Sequence, residues 1–311
     1  MLPSVRHVPR AEAVAAGASV IVSLLLLGVK FTAYYITGSA AIFSDALESI
    51  VNVIASFVAL YSLFLAHQPA DAQHPYGHGK AEFLSAGFEG GMILVAAVVI
   101  AFRAVEEMIQ GPGAHQLDVG LVLVAVAGAV NGGVGLLLLS AGKRRGSIAL
   151  VADGKHLLAD AITSGAVVVA LLIMWFRPDW TWVDPIAALL VAGYIARMGL
   201  GLLSHSTAGL MDTQDAEDEK LLREILDAHV GPSGVEPRIC SYHKLRHRHS
   251  GRYHWVDFHM MVPATWDVRR GHEAASAIEY EIERALGEGN ATAHVEPCAN
   301  DACASCGRGE S

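Results

Sequence analysis

"VADGKHLLADAITSGAVVVALLIMW", residues 151–175, decides how the chain is read. Its second half is apolar enough for lipid. Its first half carries Asp153, Lys155, His156 and Asp160. On membrane-insertion scales a charged side chain at a helix centre costs roughly 2.5–3.5 kcal/mol. A span that begins with so many ionisable groups must put them to use. His156 and Asp160 are four residues apart, so on a helix they project from one face, one turn apart.

The rest of the chain makes a membrane setting the natural one. Of 311 residues, 53% are hydrophobic and only 17% charged, too apolar a balance for a soluble globular chain. A helix needs about 20 apolar residues to cross a bilayer. Six segments qualify: Val14–Ile36, Ala40–Ala66, Phe83–Ile109, Leu117–Ser140, Ile148–Phe176 and Pro185–Leu203. From Met211 onward charges become dense, as in "DTQDAEDEKLLREIL", and long apolar runs stop. The expected organisation is a cytoplasmic leader over 1–13, six transmembrane helices over 14–208, a soluble domain over 209–297 and a Cys-containing tail over 298–311.

Short cytoplasmic loops are rich in Lys and Arg. Arg6 and Arg10 precede the first segment, Lys80 lies between the second and third, and Lys143, Arg144 and Arg145 follow the fourth. The intervening loops carry only Arg177. Both termini are therefore expected in the cytoplasm, with the protein in a bacterial inner membrane. The first segment lacks a small-residue cleavage site and reads as a span rather than a removed signal. A net charge of −9 argues against a nucleic-acid partner.

The pair in the fifth segment has a counterpart in the second. In "FSDALESIVNVIAS", Glu48 and Asn52 are four apart and Asp45 precedes Glu48 by three, as Asp153 precedes His156. Two such helices facing each other would offer Glu48, Asn52, His156 and Asp160 as one nitrogen and three oxygen donors, a set suited to a first-row divalent cation such as zinc. Asp45 and Asp153 would stand just outside that quartet. Lys30, Glu89, Arg103, Glu106, Glu107 and Asn131 read as snorkelling or packing residues.

The soluble part reads as helix, strand, strand, helix, strand. "DAEDEKLLREILDAHV" carries a helical apolar stripe and an acidic first turn, and "HWVDFHMMV" alternates, with Val256, Phe258, Met260 and Val262 on one face. An α+β, ferredoxin-like module follows. His247, His249 and His254 read as a solvated edge. Cys298, Cys303 and Cys306 close the chain, with Cys240 before the first strand; they offer a soft-metal set lacking enough fixed ligands, and disulfides are not expected in a reducing cytoplasm.

"GSAAIFSDALESIVNV", "QPADAQHPYGHGKAE" and "VADGKHLLADAITSG", in this order, resemble the cation diffusion facilitator family of divalent-metal/proton antiporters. The resemblance covers nearly the whole chain. It implies a homodimer that exports a divalent cation, zinc foremost with iron(II), manganese(II) or cobalt(II) open, in exchange for protons. No prosthetic group is implied; the metal is substrate and ligand of the cytoplasmic domain. The transport site maps onto Glu48, Asn52, His156 and Asp160. Glu and Asn stand where zinc members commonly carry Asp or His and then Asp, which lowers the ligand charge. The resemblance also implies a loop metal site at Asp71, His74 and His78, a cytoplasmic-domain site at His243, His259, His272, His294 and Glu296, and a salt bridge between Lys80 and Asp212.

Other functions fit less well. An intramembrane metal-dependent hydrolase would need a general base, and no His-Glu-x-x-His helix is present. A passive channel favours weak successive sites over a compact chelating quartet. A metal sensor anchored by its spans would have no use for polar quartets within them.

Overall fold

The computed structural model describes residues 8–37, 40–110, 119–177, 180 and 182–298. The chain divides into two compact units, 1–210 and 211–311. The first is built from long helices: α1 Arg10–Thr37, α2 Ala40–Ala66, α3 Ala81–Gln110, α4 Val119–Arg145, α5 Ile148–Phe176 and α6 Val183–Leu210. Each has 27 to 30 residues. At 1.5 Å per residue that is about 40–45 Å, longer than the ~30 Å hydrocarbon core of a bilayer. Among the described residues, four stretches are both long and apolar enough to cross a membrane: Arg10–Thr32, Ala81–Glu106, Ala125–Arg145 and Pro185–Leu210. In α2 the apolar stretch is the shorter Asn52–Ala66.

The α4–α5 connection is tighter than expected. Lys143, Arg144 and Arg145 form the last turn of α4 instead of a loop. Cations there complement the negative end of the helix dipole. Gly146, at φ 69°, then turns the chain, and the Ser147 side chain accepts the Leu150 N–H to cap α5.

Glycines set the closest helix approaches. A Cβ on Gly154 of α5 would lie 2.9 Å from the Gly135 carbonyl oxygen and 2.8 Å from the Leu139 nitrogen of α4. A Cβ on Gly199 of α6 would lie 3.0 Å from the Gly90 oxygen of α3. Lipid supplies no hydrophobic drive between helices, so association relies on such close backbone packing and on polar contacts. Helices α1 and α2 use the second device: the Ser56 hydroxyl lies 3.1 Å from those of Ser19 and Ser23.

The second unit runs α7 Ala216–His229, β1 Ser241–Ser250, β2 Tyr253–Val262, α8 Val268–Leu286 and β3 Gly289–Pro297. This is the expected order. The sheet order is β1-β2-β3, with β1 and β2 antiparallel and β2 and β3 parallel. The parallel pair requires a crossover, which α8 provides. Val256, Phe258, Met260 and Val262 are buried as the alternation implied, and Leu222 and Leu226 of α7 and Ile278 and Ile282 of α8 pack on them. One face of the sheet is therefore covered by helices. A β-bulge interrupts β1 between His243 and Arg246, with Lys244 at φ 50°. The extra residue shifts the alternation. His243 pairs with His259 on the open face, while His247 and His249 pair with Val256 and His254 on the helix-covered face.

Candidate metal centres

The polar residues of α5 meet α2 through Asn52. The Asn52 amide nitrogen donates to Asp160 Oδ2. Its Oδ1 can only accept, so the 2.9 Å contact to His156 Nε2 places a proton on that nitrogen. Asn52 and His156 are buried. One turn earlier on α5, Asp153 is buried too, and its Oδ1 accepts from Ser56 at 3.4 Å. Two helices thus bring an imidazole, an amide and a carboxylate into one hydrogen-bonded row. Any cation bound here would replace those hydrogen bonds with its own. The backbone of Asp45 and Glu48 is part of α2, but their side chains lie outside the described residues.

Sequence reasoning passed over several buried polar groups nearby. Glu89, read as a snorkelling or packing residue, is fully buried; it accepts from Ser85 at 3.2 Å and lies within electrostatic reach of Asp153. Its position as the ninth residue of α3, well past the first turn, was the available signal. Asn131 is likewise buried. Glu82 caps the start of α5 from α3, a long-range contact with no local signature.

Between α2 and α3, Asp71, His74 and His78 come together. His74 Nδ1 lies 3.2 Å from Asp71 Oδ1, and His78 Nε2 lies 3.4 Å from Asp71 Oδ2. Asp71 also accepts the backbone N–H groups of His74 and Gln73, closing a turn. The His74 amide, foremost, holds the Asp71 carboxyl below its ordinary value, so it stays an anionic donor.

On the open face of the sheet, His243, His259 and Glu296 gather with their ligand atoms within 4.8 Å of one another. Glu296 Oε1 lies 2.7 Å from His259 Nδ1, and Oε2 lies 3.3 Å from His243 Nε2. The hydrogen bond with His259, first, and then the charges of the three histidines hold Glu296 below the usual glutamate value. His294 flanks the group, with Nε2 3.6 Å from Glu296 Oε1. Among the described residues, His272 is exposed on α8 and outside this cluster.

The remaining residues fall as follows. Lys80 donates to the Leu210 carbonyl at 3.4 Å, and Asp212 pairs with Arg248 at 3.2 Å, each within its own unit. His247, His249 and His254 are not a solvated edge: His247 is buried and the other two are largely covered, because the bulge turns His247 and His249 toward the helices and His254 shares the core-facing parity of Val256 in β2. Cys298 is a buried free thiol, and Cys303 and Cys306 lie outside the described residues. Against the expectation of reduced thiols, Cys240 is disulfide-bonded. Backbone hydrogen bonds set Cys240 against Met261 on one side of β2 and Cys298 against Val262 on the other.

Comparison with known proteins matches this arrangement. Residues 17–211 match the cation efflux transmembrane domain, and residues 217–298 match the cation efflux protein cytoplasmic domain. The chain is 40% identical over 275 residues to an uncharacterized transporter of Synechocystis sp., covering 88% of this chain and 87% of the relative. It is 29% identical over 288 residues to the cation-efflux pump FieF of Escherichia fergusonii, covering 91% and 92%. It is 26% identical over 283 residues to FieF of Shewanella oneidensis, covering 91% and 93%. These relatives are transporters and not enzymes, and the chain belongs to the cation diffusion facilitator family of cation efflux proteins.

Proposed function

We propose that this transporter exports a divalent transition-metal cation from the cytoplasm in exchange for protons, with zinc the leading substrate and iron(II), manganese(II) and cobalt(II) the alternatives. The observation that carries this reading is the row Asp160–Asn52–His156 joining α2 and α5. It offers a borderline nitrogen donor and two oxygen donors in a buried setting, a chemistry that suits zinc and its neighbours. Glu48, one turn before Asn52 on α2, is the fourth donor we assign. All six long helices then span the membrane, the polar pairs of α2 and α5 being the functional exception to apolar composition. The basic residues of the leader, of the α2–α3 loop and of the end of α4 set both termini in the cytoplasm of a bacterial inner membrane. The match of residues 217–298 to a cytoplasmic domain of this family supports a second copy of the chain as partner.

Coupling to protons follows from ligation. A metal needs His156 neutral with its ligating nitrogen free, and Asp160 ionised, so binding displaces protons and weakens as pH falls. The test is uptake into sealed proteoliposomes, with zinc, iron(II), manganese(II), cobalt(II) and cadmium compared side by side. Uptake driven by a pH gradient and accompanied by counterflow of protons is expected. Uptake that persists at full rate after the gradient is collapsed would point to a channel.

A further inference from the structure

β1 and β2 turn at Gly251, and His249 and His254 stand directly opposite each other across that hairpin. Both lie on the helix-covered face, by the parity of Val256 and Phe258. Facing them is the first turn of α7, which carries Asp218. The two imidazole centroids are 4.3 Å apart. Asp218 Oδ2 lies 2.9 Å from His254 Nδ1 and 2.9 Å from His249 Nε2. One ligand atom from each residue falls within 4.8 Å of the others. Donors bound to zinc at roughly 2.0–2.2 Å in a tetrahedron sit about 3.3–3.6 Å apart, so the spacing suits a shared ion.

A second observation points the same way. His254 makes a hydrogen bond to Asp218, but His249 does not. Its Nε2 is buried, aimed at the group, and without a hydrogen-bond partner despite its 2.9 Å approach to Asp218. A buried polar atom left without a partner costs about 1–3 kcal/mol. His247, next on the same face, is already engaged with the backbone of Asp215 at 3.0 Å and holds the start of α7 in place.

We infer that Asp218, His249 and His254 form a binding site for a zinc-like divalent cation, separate from the His243–His259–Glu296 cluster on the opposite face of the sheet. Two imidazoles and one carboxylate match the preference of such ions, and water completes the coordination. When filled, the site pins the first turn of α7 to the hairpin tip. It is independent of the transport reading, since none of its residues belongs to the first unit.

The test uses the full-length protein in detergent, stripped with chelator and then dialysed against cobalt(II). The double variant His249→Gln/His254→Gln is expected to bind one cobalt fewer per chain than wild type, whereas His259→Gln retains that ion. Hydrogen exchange in the first two turns of α7 should slow on cobalt addition in wild type and in His259→Gln, but not in the double variant. If the double variant fails to fold, Asp218→Asn is expected to lose the same equivalent. Cobalt counts equal in wild type and the variants, or α7 amides in wild type that do not respond to cobalt, would overturn the site.

Discussion

Glu82 Oε2 accepts the backbone N–H of Ile148 at 2.6 Å, so a carboxylate from α3 closes the first turn of α5. Its Oε1 takes the Ser147 hydroxyl at 3.3 Å. A negative charge at a helix N-terminus satisfies orphan N–H groups and complements the dipole. The end of α5 held in this way is the one that carries Asp153 and His156. Glu82→Gln keeps the shape and removes the charge. The expected loss is about 1–3 kcal/mol, because the carboxylate is buried and hydrogen-bonded. Denaturation of the detergent-solubilised variant measures it, and a midpoint equal to wild type would deny the cap any energetic role.

Asp160→Ala should abolish transport while leaving insertion intact. Removing a charge from a span eases insertion. The substitution also strips Asn52 of its acceptor. Transport in proteoliposomes, beside a check that the variant reaches the membrane, decides it; near-normal rates in a well-inserted variant would remove Asp160 from the site.

Asn52→Asp should change which metal is preferred rather than destroy activity. Asn52 offers one neutral oxygen, already engaged by His156. Aspartate adds a full negative charge at the same reach. Tighter zinc binding and a shifted ratio of zinc to manganese or iron transport are expected. An unchanged ratio with a lower overall rate would make Asn52 a hydrogen-bonding bracket between His156 and Asp160 instead of a ligand.

Asp215 should make α7 sensitive to acid. Its side chain accepts the N–H groups of Glu217 at 2.8 Å and Asp218 at 3.2 Å. Partial burial raises its pKa, but those two hydrogen bonds, helped by His249 and His247, outweigh it and leave the value lowered. A carboxylate lowered on folding contributes stability above its ordinary value, about 3.9, and loses it as pH falls through the folded value. The opening free energy of α7, taken from hydrogen exchange after correction for the intrinsic pH dependence of amide exchange, should therefore fall more steeply below pH about 3.9 in wild type than in Asp215→Asn, which still caps. Asp215→Ala should cost about 0.5–2 kcal/mol at neutral pH.

Local pattern made much of this architecture legible. Long apolar runs announced the helices of the first unit, and period-two alternation from Val256 to Val262 announced the core face of β2. The four-residue spacing of His156 and Asp160 put them on one face of α5, where both flank Asn52. What stayed hidden depends on contacts between distant segments. His243, His247 and His249 share one parity in the sequence, yet the bulge at Lys244 sends the first to one face of the sheet and the other two to the opposite face. Glu82 looked like any acid at a helix start, because its partner is 66 residues away. Glu89 read as a snorkelling or packing residue because its electrostatic neighbour, Asp153, belongs to another helix.

Gly154 sits between Asp153 and Lys155, immediately before the residues that face α2. Its backbone lies directly against the backbones of Gly135 and Leu139 in α4. A movement of α5 that parted His156 and Asp160 from Asn52 is expected to carry α4 with it. The seam with α2 is held by a few hydrogen bonds, which the cation proposed for this site would exchange for its own contacts.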